Sequence, residues 1–299
     1  MPDTRAGPDV AGAWSPPRLA YGCVTHVALE VDFPEFIEPI RLGAAQVEGA
    51  FNLRDLAPEW EPHHPILGGL AGTFAMKNHV LAHHPDADRV GLCQYRKFVS
   101  KRRLSRVVAP SYKAMDVVTL PALSRALLAD VMVPDDAWLL PRPFLLSNWR
   151  KHSDMLEQYS RVHHPQDLLR FVAEAVEQQL LDKAEVPDLL AEELMLPGGI
   201  ELGVFPADFW IRSVSAIESV VRACVARYPL AREGYNARAW SFCTERLGSY
   251  LVLRHLRASP ASKVSFFALR RAVPNIGPRG AFGRLNLIAR GTDDYVIGV

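Results

Sequence analysis

Between Arg89 and Val99 the sequence reads RVGLCQYRKFV, a short run dense in strand formers. It turns from apolar to basic at its end, so a buried strand there must deliver charge to one edge of a sheet. Leu19 to Thr25 (LAYGCVT) is a second short buried strand, ending at His26. Ala129 to Val133 and Ala137 to Leu140 are further strand candidates, the latter stopped by Pro141. Helical spacing takes over elsewhere. It predicts helices over Leu67–His83, over Asn148–Arg161 behind an N-cap at Ser147 or Asn148, and over Gln166–Val186 before Pro187. Two longer ones follow at Pro206–Tyr228 and Asn236–Leu256. Strands mixed with helices early and helices late imply an α/β sheet with flanking helices and a helical C-terminal half.

No linker interrupts residues 19–258, which are expected to form one domain. The first 18 residues, rich in Pro, Gly, Asp and Ala, read as a flexible tail and not as a signal peptide. Residues 259–299, basic and Gly-rich, read as a loosely ordered extension. No run of about 18 apolar residues is available to cross a bilayer, so a cytoplasmic location is expected.

Charge excludes one class of partner. Lys plus Arg is 34 and Asp plus Glu is 33, a net charge of +1, so no global field draws this chain to nucleic acid. Its four cysteines form no CxxC pair and are expected to be buried free thiols. The triplet His-His-Pro recurs at residues 63, 83 and 163. Proline forces the residue before it into extended backbone, so each triplet is expected to mark a break between elements, not a metal site.

Three places could carry chemistry. Six of the twelve residues from Tyr95 to Arg106 are basic, directly after the apolar strand Val90–Cys93. Ligands of open α/β sheets bind beyond the carboxyl ends of strands, so Arg96 and Lys97 are well placed to clamp a diphosphate. On the helix Asn236–Leu256, Arg238, Phe242 and Glu245 share a face distinct from the stripe Trp240, Cys243, Leu247 and Leu251. Glu245 there is either half of an ion pair or an acid or base lining a cleft. Glu201 sits among glycines in PGGIELGVF (197–205), where backbone can approach a ligand closely. Asp135 and Asp136 are the weak candidates for a metal. The sequence contains no GxGxxG, P-loop, GxSxG or HExxH.

In order along the chain, five stretches resemble a family of uncharacterised bacterial glycosyltransferase-like domains from capsule and lipopolysaccharide biosynthesis clusters. They are Val24-Thr25-His26-Val27, Pro39-Ile40-Arg41-Leu42-Gly43-Ala44-Ala45, Phe74-Ala75-Met76-Lys77-Asn78, Gly91-Leu92-Cys93-Gln94-Tyr95-Arg96-Lys97-Phe98, and Tyr235-Asn236-Ala237-Arg238 with Glu245-Arg246-Leu247. Gln158-Tyr159 and His163 are similar as well. The resemblance implies a GT-A-like mixed sheet and transfer of a sugar from a nucleotide-diphosphate donor to a glycan or other hydroxyl acceptor. It implies a donor site of Thr25, His26, Lys77, Asn78, Gln94, Tyr95, Arg96, Lys97, Arg238 and Arg246, with Glu245 or Glu201 as base. A divalent cation, Mg2+ or Mn2+, is left open because no convincing DxD is present.

This chain departs from the family pattern at the hallmark strand, where Gln94 replaces a histidine and Lys97 an arginine. A nucleotide-sugar or glycan binder without catalysis is therefore the competing reading. A nucleic-acid binder acting through residues 95–106 is the third.

Overall fold

The computed structural model describes residues 18–105, 108–109, 112–146, 153–230, 232–258 and 272–277. The expected tail, most of the extension and the N-cap at Ser147 or Asn148 lie outside those residues.

A five-stranded sheet organises the chain. Its strands β1 (Leu19–Thr25), β2 (Ile37–Arg41), β3 (Phe51–Asn52) and β4 (Arg89–Gln94) are parallel. The strand Gly203–Pro206 joins antiparallel on the outer side of β4, giving the order Gly203–Pro206, β4, β1, β2, β3. Both strands read from the sequence are present and pair with each other, with Leu19 opposite Arg89 and Val24 opposite Gln94. Alternation along β1 divides two cores. Ala20 and Val24 face one, Tyr21 and Cys23 the other.

The helix Gly69–His83 covers the first face, and two glycines decide how closely. A Cβ on Gly72 would lie 2.4 Å from Val24, and one on Gly22 would lie 2.5 Å from the sulfur of Met76. Leu70 to Met76 are all buried, so the first two turns pack on every side, and only the last turn, Leu81 to His83, is exposed. It runs antiparallel to the strands. Its first turn therefore stands at their carboxyl edge and its last turn at their amino edge.

Ion pairs fasten the helical half, three of them through buried carboxylates of its longer helices. Arg232 is bonded to the fully buried Asp167, Arg227 reaches Glu174 at 2.9 Å, and Lys77 pairs with Glu218. Glu218 also accepts the Trp60 indole N–H at 2.7 Å.

Several expectations need correcting. Residues 129–132 belong to a helix, Arg125–Met132, whose Leu128, Val131 and Met132 follow helical and not alternating spacing. Within Ala137–Leu140 only Leu139 makes a bridge, to Val204. The helix predicted from Gln166 ends at Glu177, where Gln179 turns to φ 59° and closes it. The helix placed at Asn148–Arg161 starts at Met155, behind Asp154, whose carboxylate accepts from Glu157 N–H at 2.7 Å. Within the extension, Ala272–Gly277 is a strand. It runs parallel to Tyr112–Thr119 and antiparallel to Phe98–Val99. All four cysteines are free and buried.

Candidate active site

At the carboxyl edge, β4 doubles back. Gln94 N–H donates to the Lys97 carbonyl at 2.8 Å and Lys97 N–H to the Gln94 carbonyl at 2.9 Å. Tyr95 and Arg96 form the two-residue tip, with Tyr95 N–H donating to the Val24 carbonyl at 3.0 Å. Gln94 and Lys97 are thereby held opposite one another at the sheet edge. The His26 ring meets Tyr95 edge-on at 5.0 Å, and the Arg96 guanidinium stands 5.3 Å from the Tyr95 ring centre.

Glu201 arrives from the other side. It ends the turn Gly199–Glu201, just before the strand whose Gly203 pairs with Leu92 near the end of β4. The turn is pressed onto the long helix Ala239–Ala258. Gly198 and Gly199 take φ 76° and 54°, and a Cβ on Gly199 would lie 2.7 Å from the Glu245 carbonyl. Trp210 N–H donates to the Ile200 carbonyl at 2.9 Å and locks the turn from beneath. The glycines therefore let backbone approach the long helix instead of a ligand, and Glu201 is buried.

Glu245 is fixed by the same contact. Its Oε1 accepts from Gly198 N–H at 2.9 Å and its Oε2 lies 3.3 Å from Arg246 Nη1. Arg246 is fully buried and also donates to the Phe242 carbonyl at 3.1 Å and to Gln158 Oε1 at 3.0 Å. Among the described residues the Glu201 carboxylate takes no hydrogen bond. Burial pushes Glu201 up to about 8, and the charge of Glu245 adds to this while Lys97 opposes it. Burial likewise pulls Lys97 down to about 8, helped by Arg96 and opposed by Glu245 and Glu201.

Two walls complete the site. Gly68 takes φ 53° and ψ −129°, backbone that only glycine adopts without strain, and opens the Gly69–His83 helix without a side-chain cap. The positive end of that helix faces Gln94 and Glu201. A Cβ on Gly69 would lie 3.1 Å from the first and 3.7 Å from the second. Beside Gly68, where a Cβ would lie 3.6 Å from its Cδ, Arg238 stands 5.1 Å over Tyr235 and 5.7 Å over Phe242, and His163 stacks on Phe242 at 4.3 Å. Burial and the nearby Arg246 push His163 down to about 4, so it is a neutral aromatic here. A basic floor, an uncapped helix end and an aromatic wall suit an anion joined to a flat ring.

Of the residues singled out in the sequence, His26, Gln94, Tyr95, Arg96, Lys97, Glu201, Arg238 and Glu245 come together. Others do different work. Arg246 is sealed off from any ligand and holds Glu245. Thr25 is buried and closes its own turn, accepting from Val27 N–H at 3.2 Å. Lys77 is taken up by Glu218, and Asn78 donates to the Leu56 carbonyl at 2.8 Å, so this pair anchors its helix instead of meeting a donor. Lys77→Ala is accordingly expected to cost about 1.5–3 kcal/mol of stability, the usual range for a bond between charged groups. Chemical denaturation measures that cost, and ligand affinity at the edge should not change.

The basic run also divides. Lys101 and Arg102 bind Asp130 and Asp135, and Arg106 lies outside the described residues. Asp135 and Asp136 are exposed, the former tied to Lys101 at 3.1 Å. Arg89 at the amino end of β4 donates to the neighbouring Pro134 carbonyl at 3.2 Å, which sets both aspartates apart from the Glu201–Lys97 edge. The residues missed in the sequence are Gly68 and Gly69. Two glycines opening an apolar helical run were the available signal.

No family model and no curated protein matches this sequence. Among solved structures, the apo form of the bifunctional glycosyltransferase WbbM superposes with a TM-score of 0.64 at 13% identity. The match takes in 87% of this chain and 45% of that one, so this chain spans less than half its length. The likeness is one of fold. The parallel-rich sheet with flanking helices is the GT-A-like mixed α/β architecture.

Proposed function

We propose that this chain is a glycosyltransferase using a nucleotide-diphosphate-sugar donor and a hydroxyl acceptor. The observation that carries the reading is the convergence of Arg96, Lys97 and Arg238 with Glu201 and Glu245 on the uncapped end of the Gly69–His83 helix. Arg96 and the helix end would hold the diphosphate. Lys97 and Arg238 would offset the negative charge that grows on it as the glycosidic bond breaks. The aromatic wall of Tyr235, Phe242 and His163 would receive a ring. Glu201 is the group best suited to take the acceptor proton, because its oxygens are unengaged and its affinity for a proton is matched to near-neutral pH. Glu245, with both oxygens engaged, would position the turn that carries Glu201. No step is assigned to a metal. The family resemblance through the Gln94–Phe98 hallmark, and a role in polysaccharide assembly, belong to this same proposal.

Thermal shift and calorimetry with UDP-, GDP- and dTDP-sugars test it, with CMP-sugars, which carry one phosphate, as the contrast. One class should stabilise the chain saturably, by about 2.7 kcal/mol at a hundredfold excess over Kd. Arg96→Ala should weaken that ligand tenfold to a hundredfold, the worth of one charge-assisted contact. Tight binding with neither transfer nor donor hydrolysis would favour the non-catalytic binder, and undiminished binding in Arg96→Ala would remove Arg96 from the site.

A further inference from the structure

The far end of the Gly69–His83 helix carries a group of side chains that the proposed transfer does not use. His79, on the helix, is fully buried. His84 caps the helix, its N–H donating to the Val80 carbonyl at 2.9 Å. Glu38 stands on β2, opposite Gly22 of β1. His79 Nε2 lies 3.0 Å from Glu38 Oε2, and His84 Nε2 lies 2.8 Å from the same oxygen. One ligand atom from each residue falls within 4.8 Å of the others. Ten residue steps of helix at 1.5 Å each separate His79 from the Gly69 end, about 15 Å.

We infer that Glu38, His79 and His84 form a site for one divalent transition-metal ion of the zinc type. Two imidazole nitrogens and one carboxylate oxygen are the donor set of Zn2+ and Co2+, not of Mg2+ or Ca2+. At Zn–N distances of about 2.0–2.1 Å, tetrahedral ligands stand about 3.3 Å apart. The two histidine–carboxylate separations need to open by only a few tenths of an ångström, and the two nitrogens already lie within 4.8 Å of each other. Glu38 and His84 are free to do this, since their side chains are 28% and 34% exposed, and the same exposure opens a route for an ion and a water.

Spacing and packing favour convergence. His79 and His84 are five apart, one more than helical neighbours, and meet because His84 leaves the helix at φ −132° and ψ 50°. His83, the true i+4 neighbour, instead lays its ring 4.8 Å from that of His79. With Phe51 at 4.0 Å on β3, this fixes the imidazole plane. His79 is otherwise poorly compensated for its burial. Its Nδ1 has no partner among the described residues, and its single bond goes to an acceptor shared with His84. Coordination of Nε2 replaces that shared bond with a stronger one. The ion would tie β2 to the end of the helix.

The test uses the full chain, stripped with a chelator and titrated with Zn2+ and Co2+. One equivalent of Zn2+ should bind and raise the melting temperature, and Co2+ should give the visible absorption of a low-coordinate site. Binding should weaken as the pH is lowered, because metal ligands coordinate only in their deprotonated form. His84→Ala and Glu38→Gln should each lower affinity at least about a hundredfold, since even outer-shell partners are worth 10–100-fold. Exposed His164→Ala, outside the cluster, should leave it intact. Absence of a saturable single equivalent, or undiminished binding in His84→Ala and Glu38→Gln, would overturn the site. Neither result bears on donor binding at the other end of the helix.

Discussion

Glu201→Gln is expected to lower transfer by about 10²–10⁴, the usual worth of a positioned general base, with nucleotide affinity nearly unchanged. Its pH behaviour separates this from a structural effect. Glu201 keeps its proton up to about pH 8 in the folded chain but only to its ordinary 4.5 when unfolded. Across that window the folded state binds more protons, so its stability falls as pH rises, by on the order of a few kcal/mol. Lys97 acts in the opposite sense. Its ammonium is held only to about 8 in the fold against an ordinary 10.5, so the unfolded chain binds more protons between these values and stability recovers there. Wild-type stability should therefore pass through a minimum near pH 8, while kcat/KM rises towards it as the Glu201 carboxylate appears. Glu201→Gln should abolish the falling limb of stability and the rising limb of rate together. A variant that loses the stability limb yet turns over normally would show that Glu201 is buried for packing alone.

Sheet and helices were legible in this sequence where local pattern and tertiary packing agreed. Leu19–Thr25 stands as read, because it is apolar, short and bounded by charge. The helix pattern of 206–228 and 236–256 survives within a few residues for the same reason. Ala129–Val133 misled because five apolar-rich residues fit either period, and the preceding Ser124 cap, whose hydroxyl accepts from Leu127 N–H at 3.2 Å, decides for helix. β2 and the strand Gly203–Pro206 carry too few residues to show any period, and only pairing with their neighbours makes them strands.

The site was legible in its charges and not in its partners. Arg96, Lys97, Glu201 and Glu245 stand out as polar groups beside apolar runs. Spacing could not reveal that Lys77 would find Glu218, 141 positions away. The His-His-Pro repeats show the same limit. The break expected at 83–85 is real, yet the break itself turns His84 back towards His79 and Glu38.

Glu245→Gln should behave in the opposite way to Glu201→Gln. Arg246 is fully buried, and Glu245 is the carboxylate bonded to it, beside the neutral Phe242 carbonyl and Gln158. Removing that charge leaves a guanidinium in the core without its counter-ion, a loss of about 3–5 kcal/mol in proteins where such pairs have been broken. The Gly198 N–H bond survives on the amide oxygen, so the turn that carries Glu201 keeps its place. Glu245 also raises the proton affinity of Glu201, and its neutralisation should move the rising limb of the rate profile to lower pH. The expected variant melts earlier, turns over measurably per folded molecule, and reaches full rate at lower pH. Adding Arg246→Met removes the stranded cation and should recover much of the lost stability, since buried pairs exchanged whole for apolar groups are often neutral. If Glu245→Gln instead melts like the wild type and loses turnover by 10²–10⁴, Glu245 is the base and Glu201 its buried neighbour.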